Sequence, residues 1–159
     1  MSATPSRSPV SGPYDDAFAT LLAESYQRVV GTAPPFSENR LATARWLYAD
    51  APFGVLAHDG AADPRFVYAN ATALRIFGYS WDEMVGMPSR LSAPPADRGE
   101  RETLMKGVLR GGYTNDYRGR RVTRSGRHFW IEDATVWNIV DHEGTLRGQA
   151  ALIRAWTDA

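Results

Sequence analysis

The sequence predicts an α+β domain, a five-stranded antiparallel sheet with helices over one face, preceded by two N-terminal helices. Three observations carry that reading. Helical spacing with defined start and stop residues fills the first third of the chain. Phe66 to Gly86, FVYANATALRIFGYSWDEMVG, then turns from strand to helix to helix within 21 residues. Beyond Gly112 the residues alternate as strands do, broken by tight turns. At 159 residues the chain has room for one well-buried core and little more.

Residues 1–13 are rich in Pro, Ser and Gly and predict a disordered tail; 14–51 form a helical extension and 52–159 the sheet domain. The first helix starts at Asp15/Asp16, buries Phe18, Leu21, Leu22, Ser25 and Val29, and stops at Gly31. Ser37 is placed to cap a second, with Leu41, Ala44, Leu47 and Tyr48 along one side and Asp50 and Pro52 ending it. FGVLAHDG and Phe66–Tyr68 read as strands, and Asn70 as the cap of ATALRIF, which Gly78 ends. Ser80 to Glu83 has the spacing of a capping box, in which each side chain serves the other residue's amide. Asp97 to Glu100 reads as a second such start, for a helix carrying Leu104, Met105, Val108 and Leu109 inward. Three strands follow, with turns at 124–126 and 141–144. The last strand, LRGQAALIRAW, is apolar on both faces, so the outer side of the sheet needs a cover, and the N-terminal helices are the candidates.

The 18 basic and 18 acidic residues balance, which leaves no long-range field for nucleic acid or an anionic membrane. The best candidate for nucleic-acid contact, the hairpin Arg118–Arg127 with five arginines, reads as a solvated face answered by Asp116 and Glu132. Cysteine is absent, which excludes disulfides, thiolate catalysis and cysteinyl chromophore adducts. No signal-peptide core or membrane-length apolar run is present, so a cytoplasmic chain is expected. Phosphate loops, dinucleotide fingerprints and nucleophile triads are missing, and His58, His128 and His142 read as ordinary strand or turn residues.

These phrases carry a resemblance. The strand–turn–strand unit, then YANATALRIFGYSWDEMVG, then YRGRRVTRSGRHFW and a long strand before D-x-x-G, resembles the PAS sensory fold. More closely, Leu47 to Ile153, about two thirds of the chain, resembles the MEKHLA domain of stand-alone bacterial proteins and certain plant transcription factors. Ala49–Phe53, Pro88–Ala93, Ile131–Asn138 and Gly148–Ala151 carry that closer match. The resemblance implies a ligand or cofactor space between sheet and helices, dimerisation, and a conformational signal to a partner. It also implies a β-bulge in IEDATVWNIV, which is one residue longer before D-x-x-G than the corresponding PAS strand, so that the facing of the strand switches partway. The resemblance names no cofactor. The helix Arg98–Arg110 lacks the axial histidine that a haem sensor of this kind uses, while non-covalent flavin stays open.

Candidate ligand-binding residues are Tyr68, Phe77, Trp81, Arg90, Leu91, Tyr117, Arg121, Asp133 and Trp137; no catalytic or metal-binding set is assigned. Adjacent Glu132 and Asp133 on one strand place one acid toward the covered face, where Arg90 or Arg121 could pair with it. The leading expectation is a non-enzymatic sensory or protein-interaction module that binds a small, unnamed ligand or simply dimerises and signals in trans, homodimeric through its N-terminal helices and the outer sheet face. Two alternatives stand beside it: a small pocket enzyme with Asp133 or Glu132 as general base, and a structural dimerisation domain with a filled interior.

Overall fold

A computed structural model describes residues 10–37 and 43–159. Helix α1 spans Asp16–Val30; the Asp15 carboxylate accepts from the Phe18 amide at 3.0 Å, and Gly31 closes the helix at a φ of 93°. A 3-10 turn at Pro35–Ser37 follows, and α2 is described over Thr43–Ala49. The expected cap and Leu41 of α2 concern a helix start that lies outside the described residues. So does most of the expected tail, although Val10, placed in it by the sequence, is buried.

Strands β1 (Gly54–Asp59) and β2 (Phe66–Ala69) form a hairpin, and the chain then leaves the sheet for three helices. These are α3 (Ala71–Phe77), α4 (Trp81–Met84) and α5 (Arg98–Gly111). It returns as β3 (Tyr113–Val122), β4 (His128–Val140) and β5 (Leu146–Asp158). The sheet is antiparallel in the order β2-β1-β5-β4-β3, so the two ends of the domain meet in the β1–β5 pair.

Asn70 holds the crossing from β2 to α3. Its Oδ1 accepts from the amides of Val55 and Ala73, while its Nδ2 donates to the carbonyls of Leu47 and Phe53. One side chain thus caps a helix and ties three segments. The box at Ser80–Glu83 forms in both directions. The second expected box does not. Asp97 is already the last residue of a 3-10 turn, with helical dihedrals, and its carboxylate accepts from Arg120 at 2.9 Å. Glu100 accepts from the Tyr117 hydroxyl instead.

Two apolar clusters lie on opposite sides of the sheet. On the outer side α1 and Phe36 cover Val55, Tyr68, Trp137, Ile139, Ala150 and Leu152. Tyr26 meets Trp137 edge-on with ring centroids 5.0 Å apart, and Phe18 lies 5.5 Å from Tyr68. The Ser25 hydroxyl donates to the Val140 carbonyl at 2.8 Å and accepts from its amide at 3.0 Å, pinning α1 to the end of β4. On the inner side α3 to α5 cover Leu56, Phe129, Ile131, Ala134, Val136 and Ile153.

The bulge expected in β4 is present at Glu132–Asp133, where β3 and β4 lose register and Asp133 takes a φ of 49°. It sets the facing of the strand. Ile131 and Ala134, three apart, both point inward, and Trp137 then points outward under α1. A second left-handed residue, Asp116, marks a bulge in β3.

Candidate ligand site

Helix α5 was expected to present Leu104, Met105, Val108 and Leu109 to the sheet. Val108 is buried and Leu104 and Met105 partly so, but Leu109 is exposed. The fourth inward position is Arg101, four residues before Met105 and seven before Val108, with 8% of its surface exposed. A guanidinium therefore lies where an apolar side chain was expected.

Opposite it, strand β3 contributes Tyr117, Gly119 and Arg121 on one face. Gly119 is needed for space. A Cβ there would collide with the end of the Tyr117 side chain and stand 2.8 Å from an Arg121 nitrogen. Without it, Tyr117 and Arg121 bend toward each other over the glycine, and Arg121 donates to the Tyr117 hydroxyl at 3.1 Å. Arg121 also donates to the Arg120 carbonyl at 2.8 Å. The phenol passes the interaction on, donating to the Glu100 carboxylate at 3.1 Å.

The third wall comes from β1 and β5. His58, 5% exposed, sits between Ser89 and Gln149: Nδ1 lies 2.8 Å from the Ser89 hydroxyl and Nε2 3.1 Å from Gln149 Oε1. The Gln149 amide nitrogen donates to the Met105 carbonyl and Asn138 Oδ1, and Asn138 donates to the Val108 carbonyl. Gln149 Oε1 can only accept, so His58 carries its proton on Nε2 and offers Nδ1 as an acceptor. Arg101 approaches that Nδ1 at 3.5 Å. Burial and the neighbouring Arg101 charge push the imidazole down to about 4, so it is neutral at pH 7. Burial and then Arg121 lower the Arg101 guanidinium to about 10.

These groups enclose a chamber with Leu56, Phe66, Phe77, Ile131, Val136 and Ile153 on its apolar side. With the side chains as placed, the free space is about 30 Å³, room for one or two waters.

Of the residues expected here, the structure brings together Phe77, Tyr117 and Arg121. The others lie elsewhere. Tyr68 and Trp137 belong to the outer cluster, Trp137 because the bulge reverses the facing of β4. Trp81 packs edge-on against Tyr48 and Tyr68. Arg90 is exposed and pairs with Asp63 at 3.2 Å, and Leu91 sits half-buried in the 3-10 turn beside it. Asp133 is exposed. Glu132 faces outward, accepting from Thr157 and Arg118 at 2.7 and 3.1 Å, and those bonds, Thr157 first, lower its pKa. Neither acid reaches the chamber, so neither can act there as a general base. His58, Arg101 and Gln149 were missed; each is a polar residue at an inward position of an apolar pattern.

Four hairpin arginines are paired on the surface: Arg118 with Glu132, Arg120 with Asp97, Arg124 with Glu83 and Arg127 with Asp158. Asp116 is not among their partners. Among the described residues no group of three or more His, Asp or Glu side chains could hold a metal, and no helix is long and apolar enough to cross a membrane.

The sheet order, the three-helix cover and the chamber between them define a PAS-like domain. Solved structures agree on the fold. A PAS domain of a protein from Colwellia psychrerythraea superposes with a TM-score of 0.62 at 16% identity, covering 76% of this chain and 98% of the other. A light-oxygen-voltage domain studied with a flavin analogue gives 0.59 at 22%, covering 77% and 86%. An RNA-binding light-oxygen-voltage receptor gives 0.57 at 23%, covering 69% of this chain and 30% of the receptor. The MEKHLA domain model matches residues 16–158, and the chain belongs to that family. No curated protein sequence matches it.

Proposed function

We propose that the chain is a non-catalytic sensory module that takes a small molecule into the chamber between α5 and the sheet and signals its occupancy to a partner in trans. One observation carries the reading. The chain spends buried positions on His58, Arg101, Arg121 and Gln149, all at one place in the interior, where apolar side chains would stabilise an empty domain better. Catalysis finds no support in the same chamber, because no carboxylate lines it and its histidine is a weak base, lowered to about 4 by burial and the Arg101 charge, with both ring nitrogens already engaged by Ser89 and Gln149.

Flavin photochemistry, suggested by the light-oxygen-voltage domains of similar fold, does not fit these residues. No cysteine is available for an adduct, and a chamber with about 30 Å³ free, flanked by two guanidiniums, would have to open far more for a three-ring isoalloxazine than for a ligand of a few heavy atoms. The same small volume favours a second reading, a dimerisation scaffold with a filled interior. Native mass spectrometry of the chain purified from its own host separates the two. The sensory reading expects a non-covalent mass adduct that disappears on denaturation; a bare chain at every preparation would support the scaffold.

A further inference from the structure

Every polar group around the chamber is accounted for except the charge of its two arginines. Among the described residues Arg101 and Arg121 have no carboxylate within ion-pair distance, although they are 8% and 4% exposed. Among the described residues the one hydrogen-bond contact of Arg101 is the long approach to His58, which is neutral. The surface arginines of the same hairpin all find acids. A buried cation without a counter-ion is costly, and the usual resolution is a paired anion.

We infer, resting on the ligand-binding reading above, that the chamber receives the carboxylate of a small monocarboxylic acid with a short apolar tail, its head held between Arg101 and Arg121. Charge selects a monoanion. The two guanidiniums are offset by one acid, Glu100, which reaches Arg121 through the Tyr117 hydroxyl. One positive charge is left over. Shape selects a carboxylate, whose two oxygens match the planar donor fork of a guanidinium. Most of the remaining wall is apolar, Leu56, Phe77, Ile131 and Val136 among it, and would reward a tail rather than a second polar end. Met105 lines the same space and is the side chain best able to give way, being unbranched and flexible. Arg101 and Met105 both belong to α5, so an acid that draws in one and displaces the other acts directly on that helix.

The test uses the full chain at pH 7, with thermal unfolding and titration calorimetry against acetate, butyrate, hexanoate and benzoate, beside butyramide and benzamide. Saturable stabilisation by the acids, growing with tail length from acetate and absent with the amides, is the expected result. Arg101→Met and Arg121→Met should weaken acid binding by about tenfold or more. Without acid, Arg101→Met should melt at or above the wild-type temperature, since a flexible apolar chain replaces an uncompensated charge. If either methionine variant fails to fold, Arg101→Lys keeps the charge, loses the fork, and should bind the acids more weakly. A lower melting temperature for acid-free Arg101→Met, with no acid response in the wild type, would make the arginine structural and overturn the inference. Equal responses to acids and amides overturn the carboxylate assignment and leave the sensory reading standing. Silence from both series overturns the carboxylate assignment, and the sensory reading falls with it only if mass spectrometry also finds the chain bare.

Discussion

His58 connects the chamber to solution pH. Its imidazole is held neutral down to about 4 by burial and by Arg101, whereas in the unfolded chain it titrates near 6.5. Below 6.5 the unfolded chain therefore binds a proton that the folded chain refuses. The stability contributed by the neutral ring is complete above pH 6.5 and is lost as pH falls toward 4. A displacement of this size corresponds to about 3 kcal/mol. Asp15 and Glu83, whose pKa values are also lowered, lose their contribution at still lower pH. Urea unfolding of wild type and His58→Leu across pH 7 to 4 isolates the effect. The variant starts lower, because Gln149 loses a partner, and should then run flatter than wild type through that window. Parallel curves would mean that the ring accepts its proton in the folded state.

The bulge in β4 decides which side chains meet the chamber, and Asp133 is its pivot. An aspartate at a φ of 49° tolerates the left-handed region through its short polar side chain, a β-branched residue does not, and glycine enters it freely. Asp133→Gly should therefore leave stability within about 1 kcal/mol of wild type or raise it, and Asp133→Val should cost about 1–3 kcal/mol. Denaturant midpoints for the pair give the comparison; a harmless valine would show that the strand runs through without the bulge. The same feature explains what could be read in advance. Asn70, the Ser80–Glu83 box and the glycine stops work through neighbours a few residues away, so their chemistry is visible in a short window. The existence of the bulge was legible only through the PAS resemblance, against which IEDATVWNIV has one residue too many. Its exact step was not, because alternation alone does not show which residue of the strand is the extra one, and the misplacement of Asp133 and Trp137 follows from that. Arg101 was illegible for another reason. An arginine on an amphipathic helix reads as solvent-facing unless its position relative to Met105 and Val108 is weighed above its charge.

The domain is a sheet clasped from both sides, and the two clasps differ in character. The inner one carries the polar chamber and is tied to the sheet by side-chain bonds from Tyr117, Arg120, Asn138 and Gln149. The outer one is largely apolar, with Leu22, Phe36, Leu47 and Trp137 fully buried between α1, α2 and the strands. Because the chain's own helices occupy the outer face, a homodimer of the expected kind would use the uncovered sides of those helices rather than the sheet beneath them. Removing residues 1–36 would strip α1 from Tyr68, Trp137, Ile139 and Leu152 and open an apolar surface, which proteins of this size rarely leave to water. The truncated chain should melt lower and self-associate, measured by light scattering on a sizing column. Leu22→Asp tests the same clasp with the chain intact. A charge forced into that buried position should cost several kcal/mol and loosen α1 without deleting it. If the truncated chain kept its size and melting temperature, and Leu22→Asp did too, α1 would not be holding the outer face, and the apolar residues there would need another cover.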